Sequence, residues 1–362
     1  MELSDSPQFD FNFPGWPETI YTLTKRGNLS YAWAYSAMVE ILSGRANEME
    51  MSAFLAALRT KGETIEEMSG FADSMLSFAT KVAFEGEVVD TCGTGGDKKG
   101  TVNVSTTAAL ILAGAGVTVC KHGGRASSSL SGSADVLEQL GVVIDLGPAG
   151  VAKCMEEAKI GFCFAPTFHP AMANVSAVRR GLKIPTVFNF LGPLVNPALA
   201  KRQLVGISDP EIAESMVGVL GRIGSHSAMV VYGDDGLDEV TTTGISHIIQ
   251  LTRDETGKVS LERYDFDPLS VGIKRAKLED LAGGDAKYNA EALVSILEGN
   301  QGARRDIAVL NAACALVVAG AAKDIEGGLD LADRSISSGG AKRALEQLIE
   351  TSTRMANPIS RH

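Results

Sequence analysis

Cysteine is scarce in this sequence and widely scattered. Cys92, Cys120, Cys154, Cys163 and Cys314 are the five, and no two form a CxxC. An odd number without metal-ligand spacing predicts neither a disulfide framework nor a zinc site, and suits a reduced compartment. Long apolar runs are missing as well. The most extended, residues 307–322, is rich in small side chains, carries Asn311 and is too short for a bilayer, so a buried core helix is expected there. Residues 1–17 are acidic and aromatic, unlike a secretory signal. The expectation is a cytoplasmic protein without a membrane partner. Basic charge is in deficit: 33 Lys+Arg stand against 44 Asp+Glu, a formal net charge of −11. That balance argues against a nucleic-acid partner, yet leaves room for a local basic pocket that holds a small anion. No repeat or low-complexity tract interrupts the 362 residues, a length for about two domains, and the 45% of hydrophobic residues is ordinary for a folded protein.

Texture changes along the chain. Residues 17–84 read as helical throughout, with apolar residues at helical spacing over 31–42 and 51–58. From Glu87 short strands alternate with helices. Strands are expected at Val88-Val89, ending in Asp90, and at 117–120, 162–165, 204–207 and 228–232. Helices are expected at 106–115, 151–159 and 211–220, the last announced by Asp209-Pro210 as N-cap and first helical residue. Such alternation implies a mostly parallel sheet under helical cover. Residues 251–264 read as a hairpin turning at Glu255-Thr256-Gly257, and the Gly- and Pro-rich stretch 178–197 as a connection that crosses between domains. The fold class is therefore α/β: a small all-helical N-terminal domain over 1–84, and a larger α/β domain with a mostly parallel central sheet over 85–177 and 201–362. The crossing segment at about 178–200 packs on the helical domain.

Three motifs carry chemistry. DTCGTGGD, residues 90–97, lies between a strand and a helix. Its glycines let backbone N–H groups approach a phosphate, and the next helix adds its N-terminal partial charge. It is not a Walker loop, because Thr101 stands where the lysine belongs, nor GxGxxG, because Lys98 replaces the third glycine. A tight strand-to-helix turn would explain the glycines alone. Asn103, Ser105 and Thr106 follow with amide and hydroxyl groups, although Ser105 also suits an N-cap. KHGGRASSSLSGSAD, residues 121–135, leaves the second strand with Lys121, His122 and Arg125 among hydroxyls. In an open parallel sheet ligands bind at the carboxyl ends of strands, so both motifs should meet on one edge. GLDEVTTTG, residues 236–244, follows another strand and brings Asp238 beside Glu239. Adjacent carboxylates at a strand end suit Mg²⁺, which takes oxygen ligands and shares them with substrate phosphates. Together the three describe a site for a metal-bound phosphorylated sugar. A fourth stretch, with Phe168, Pro170 and Met172 before Arg179, would wall an apolar pocket and pair a carboxylate.

These stretches, with FAPTFHPAM and VRRGLKIPTVFNFLGPLVNP, resemble the anthranilate phosphoribosyltransferases over about residues 20–350. The resemblance implies a homodimer formed through the helical domain, a site in the cleft between the domains, and transfer of phosphoribose from 5-phosphoribosyl-1-pyrophosphate to the amine of anthranilate, with two Mg²⁺ ions. It implies that Gly93, Thr94, Gly95, Gly96, Asp97, Thr101, Asn103, Ser105, Thr106, Lys121 and Ser133 hold the donor. Ser105, Asp238 and Glu239 would ligate the metal. Gly93, His122, Gly124, Arg179 and Pro193 would meet anthranilate. The family usually reads KHGNR, so Gly124 stands where an asparagine contacts the acceptor. An aromatic amine is neutral at pH 7, so no strong base is required, and His122 is the only candidate for one. Two other readings fit the architecture: a pyrimidine-nucleoside-phosphorylase-like enzyme acting on ribosides, and a non-catalytic paralogue that binds nucleic acid.

Overall fold

The computed structural model describes residues 12–126 and 130–357. Ser127, Ser128 and Ser129 of the second motif lie outside the described residues. The chain forms two compact units. One runs to Thr80 and takes back His169–Val195; the other holds Lys81–Phe168 and the chain from Asn196 onward.

The first unit is built from helices Trp16–Thr24, Tyr31–Leu42, Glu48–Lys61 and Ile65–Phe78. Local chemistry starts them. Ser30 accepts from the Trp33 amide, while Asn47 with Glu50 and Thr64 with Glu67 form capping boxes. Glu67 is wholly buried, and its carboxylate accepts from the Leu29 amide (2.8 Å), the Thr64 amide (2.8 Å) and the Lys61 ammonium (2.8 Å). Its charge is thus paired where an orphan would be costly. Helicity stops at Phe78, short of the expected residue 84. The Gly- and Pro-rich stretch is more ordered than a connection. It contributes to helix Ala173–Leu182, a short helix Phe188–Leu191, and a 3₁₀ turn Gly192–Leu194 with Pro193 near its start. Val175 and Val178 are buried, and Asn174 Nδ2 donates to the Leu42 carbonyl at 2.8 Å.

The second unit carries a seven-stranded sheet in the order β3-β2-β1-β4-β5-β6-β7. Its strands are β1 (Val89–Gly93), β2 (Val119–Gly123), β3 (Ile160–Phe164), β4 (Arg202–Gly206), β5 (Ser227–Gly233), β6 (Ser246–Arg253) and β7 (Val259–Phe266). The first five are mutually parallel, while β6 and β7 run antiparallel as the expected hairpin. Helices Val104–Gly114 and Ala303–Val318 are apolar almost all round and buried over nearly their whole length, so they are core helices. The second of them is the helix expected at 307–322. Among the described residues no helix is long and apolar enough to cross a membrane, and all five cysteines are free.

Two strands end later than expected. β1 continues past Asp90 to Gly93, and β2 continues to Gly123. Lys121 and His122 are therefore strand residues rather than loop residues, and Asp90 lies inside its strand instead of at its end. Polar side chains are tolerated there because they satisfy one another. Asp90 is wholly buried, and its carboxylate accepts from Asn196 Nδ2 (2.7 Å) and from the His122 amide (3.2 Å).

Candidate active site

Parallel register aligns the strand ends. Gly93 pairs with Gly206, and β2 and β5 flank them, so the loops that follow these strands leave from one rim. The glycine turn is tied down on that rim. The Thr94 amide donates to the Gly206 carbonyl (2.9 Å), and Ser208 Oγ donates to the Gly95 carbonyl (2.8 Å). The Gly95 amide donates to Asp238 Oδ2 at 2.8 Å, which joins the glycine motif to the acidic pair across more than a hundred residues of sequence. Glycine is required on both strands at this crossing. A Cβ at Gly206 would collide with the Asp238 carbonyl, and one at Gly93 with the Asp238 carboxylate. Past the crossing the backbone turns left-handed at Gly95, Gly96, Gly100 and, unusually for a residue with a side chain, at Lys98. A run of such residues makes a concave loop whose amides suit an anion.

The acidic groups are crowded. Burial first, and then the Asp97 carboxyl beside it, push Asp238 up to about 6, and the two side chains are hydrogen-bonded to each other. Burial and the adjacent Asp238 hold Glu239 well above the usual carboxylate range, although the Ser105 amide donates to it. Carboxyl groups forced together out of water and held toward their protonated forms are a set that a hard divalent cation relieves. The donor set is all oxygen, and Ser105, whose backbone amide donates to Glu239, adds a hydroxyl, so these residue types suit Mg²⁺; among the described residues no three acidic, His or Cys side chains are already arranged around a metal-sized site.

Lys121 is 1% exposed and opposes this charge. Its Nζ donates to the Thr91 carbonyl (2.6 Å) and to Ser105 Oγ (3.2 Å), which leaves one of three N–H donors for a ligand. Burial pulls its pKa down while Asp90 pulls it up. Thr101 bridges to Ala282, and Asn103 N-caps helix Val104–Gly114 in position but makes no capping bond. Ser105, the alternative cap, instead lies inside the first turn. Thr106 Oγ1 is buried there without a hydrogen-bond partner. Asn103 Nδ2 donates to the Ser131 carbonyl (3.2 Å), which attaches the second motif to the helix that follows the first, and within the second motif the Gly124 carbonyl accepts from the Ala134 amide beside Ser133 (3.1 Å). Arg125 differs from the expectation of a cation turned to a polyanion. It is held by Asp135 (3.0 Å) and Glu138 (2.8 Å), two acids in the helix that follows.

The α/β unit thus gathers Gly93, Thr94, Gly95, Asp97, Asn103, Ser105, Lys121, Asp238 and Glu239, with Gly96, Thr101, Thr106, His122, Gly124 and Ser133 adjoining them. Arg179 and Pro193 belong to the helical unit, where the Arg179 guanidinium lies over the Phe188 ring at 5.5 Å and burial lowers its pKa. Sequence reasoning missed Ser208, Asn196, Asn289 and Asn311, which brace the site from other segments. Asn196 was readable inside the quoted stretch GPLVNP; the others carry no motif.

Residues 17–79 match the helical bundle domain of a glycosyl transferase family, and residues 85–342 match its a/b domain. Anthranilate phosphoribosyltransferase of Moorella thermoacetica is 50% identical over 323 residues, 89% of this chain and 94% of that protein. The crystal structure of anthranilate phosphoribosyltransferase from Thermus thermophilus superposes with a TM-score of 0.86 at 36% identity, covering 92% of this chain and 99% of that one. The Saccharomyces cerevisiae enzyme in complex with PRPP and Mg gives 0.85 at 29% identity, covering 95% and 99%.

Proposed function

The chain belongs to the anthranilate phosphoribosyltransferase family, and from that premise we propose that it transfers phosphoribose from 5-phosphoribosyl-1-pyrophosphate to anthranilate, releasing pyrophosphate. The observation that carries this reading is the hydrogen bond from Gly95 to Asp238, which puts an anion-binding turn and an acidic pair in one place. The donor is a polyanion, and the acids would repel it bare. Mg²⁺ held by Asp238, Glu239 and Ser105, as two ions with Asp97 taking part, would neutralise the pyrophosphate as it leaves. The loop amides of Gly96, Asp97, Lys98 and Gly100 and the remaining N–H of Lys121 would bind its phosphate oxygens, in a buried setting that strengthens each contact. Asn103, Thr106 and Ser133 would hold the sugar and its 5-phosphate.

The bond from the anomeric carbon to pyrophosphate breaks, the bond to the anthranilate nitrogen forms, and that nitrogen then sheds a proton. Because the amine is already neutral, the main task of the chain's residues is to position the two reactants. Gly93, His122, Gly124, Arg179 and Pro193 are the residues we assign to anthranilate, with Arg179 as partner for its carboxylate. Exposed Tyr21 and Met49 on the helical unit support dimerisation through that unit, which sedimentation at micromolar concentration tests. A reaction of tryptophan biosynthesis supports a cytoplasmic protein.

The test is the loss of anthranilate fluorescence with donor and Mg²⁺. Turnover that stops on chelation supports the reading. No turnover, together with phosphorolysis of uridine or thymidine, overturns it.

A further inference from the structure

Two buried asparagines stand behind the donor site, on helices that no motif reaches. Asn289, near the start of helix Ala286–Leu297, is 2% exposed. Its Nδ2 donates to Asn103 Oδ1 at 2.8 Å, and its Oδ1 accepts from the Gly284 amide at 2.8 Å. Asn103 therefore has a fixed orientation. Its oxygen faces Asn289, one N–H faces the Ser131 carbonyl, and one N–H remains for a ligand. The backbone on either side is tied to the same segment: the Val102 amide donates to the Leu281 carbonyl (3.1 Å), and the Gly283 amide to the Gly100 carbonyl (2.8 Å).

Asn311, on helix Ala303–Val318, is 0% exposed. It grips Val240 from both sides. The Val240 amide donates to Asn311 Oδ1 (2.9 Å), and Asn311 Nδ2 donates to the carbonyls of Val240 (2.9 Å) and Ile307 (2.9 Å). Val240 directly follows Glu239. Between the two supports sits a small apolar cluster of Val102, Val104, Leu237, Leu281 and Ile307. Its members flank Asn103, precede Asp238 and belong to the supporting segments. An apolar residue would fill either asparagine position at lower desolvation cost, so a polar group buried there signals that its hydrogen bonds are used.

We propose that Asn289 and Asn311 are positioning residues of the donor site, Asn289 fixing the sugar-phosphate limb through Asn103 and Asn311 fixing the metal limb through Val240. This rests on the phosphoribosyl reading of the site. It is tested by calorimetric binding of 5-phosphoribosyl-1-pyrophosphate at varied Mg²⁺, which needs no turnover. Asn289→Asp keeps the acceptor for Gly284 and loses the donor to Asn103. It should weaken donor binding about tenfold at saturating Mg²⁺, as for one lost hydrogen bond, and leave the half-saturating Mg²⁺ concentration unchanged. Asn311→Asp keeps the acceptor for the Val240 amide and loses both donors. It should raise the half-saturating Mg²⁺ about tenfold and leave donor affinity at saturating Mg²⁺ within about threefold. In an Asn103→Ala background, Asn289→Asp should add nothing.

Equal shifts in both parameters, unchanged binding, or additive losses in that background overturn the proposal. If either aspartate variant fails to fold, hydrogen exchange on the wild-type protein decides: the amides of 281–284 and 240 should gain protection on donor binding together with those of 100–104, and unchanged exchange overturns the proposal. Wild-type protein that binds no donor overturns the functional reading and the proposal with it. Wild-type binding with unchanged variants overturns the proposal alone.

Discussion

Asp238→Asn should separate stability from function in opposite directions. The Asp238 carboxyl is buried and held at about 6 against an ordinary 3.8, by burial first and by Asp97 second. A raised acid means that the folded protein keeps a proton which the unfolded chain has released. Stability conferred by that proton is complete below pH 3.8 and is lost as pH rises through about 6. At pH 7.5 the full cost applies, of order 3 kcal/mol for a shift of about two pKa units. Asparagine has the same outline. Its oxygen can keep the Gly95 amide, now at 2.8 Å from Asp238, and its amide can donate to Asp97. Without metal or substrate, in chelator, the variant should unfold at a temperature higher by roughly 6 °C, at about 2 °C per kcal/mol for a unit of this size. Turnover should fall at least ~100-fold, because charge stabilisation of the leaving group is lost. Thermal scans in chelator and the anthranilate fluorescence assay read the two effects. A variant less stable than wild type in chelator, or one with turnover within threefold, would refute the reasoning.

Arg179→Ala should raise the KM for anthranilate about tenfold or more and leave that for the donor unchanged; equal shifts in both would remove Arg179 from the acceptor. Gly124→Asn should be accepted by the fold, since nothing lies within 4 Å of a Cβ there. It should lower the anthranilate KM severalfold, and an unchanged or higher KM counts against an acceptor role for this position. His169 is buried in the helical unit with its pKa lowered by burial to about 4 from 6.5. The unfolded chain then binds the proton first, so stability is complete above pH 6.5 and falls toward pH 4, by up to about 3 kcal/mol. Urea denaturation at pH 7.5 and 5 of wild type and His169→Phe measures this, with the variant expected to lack that part of the slope.

The legible parts of the molecule were those where one local rule acts alone. The capped helices of the first unit, the Asp209-capped 3₁₀ turn Pro210–Ile212 that leads into helix Ala213–Arg222, and the β6–β7 hairpin follow from short-range patterns. So does the convergence of the glycine turn and the acidic pair, because parallel strands deliver their loops to one rim. Strand ends were misplaced where a polar residue continued a strand. Asp90 looks like a strand end and Lys121 like a loop residue until Asn196 and the Thr91 carbonyl supply their partners from distant segments. Arg125 read as a free cation because Asp135 and Glu138 lie ten and more residues away, on a helix whose facing side is set only by packing. Asn289 and Asn311 were invisible as site residues for the same reason. Each lies on a helix with an apolar pattern, and only the folded chain shows which loop it holds.

Stabilisation of the leaving pyrophosphate depends on divalent metal held at Asp238 and Glu239 beside the glycine turn. Anomalous diffraction from crystals grown with 5-phosphoribosyl-1-pyrophosphate and Mn²⁺ in place of Mg²⁺ tests it most directly. A Mn²⁺ peak coordinated by carboxylate oxygens of Asp238 or Glu239, with the pyrophosphate against residues 94–97, is the predicted result. Donor bound with no metal at these carboxylates, or bound away from the glycine turn, would contradict it.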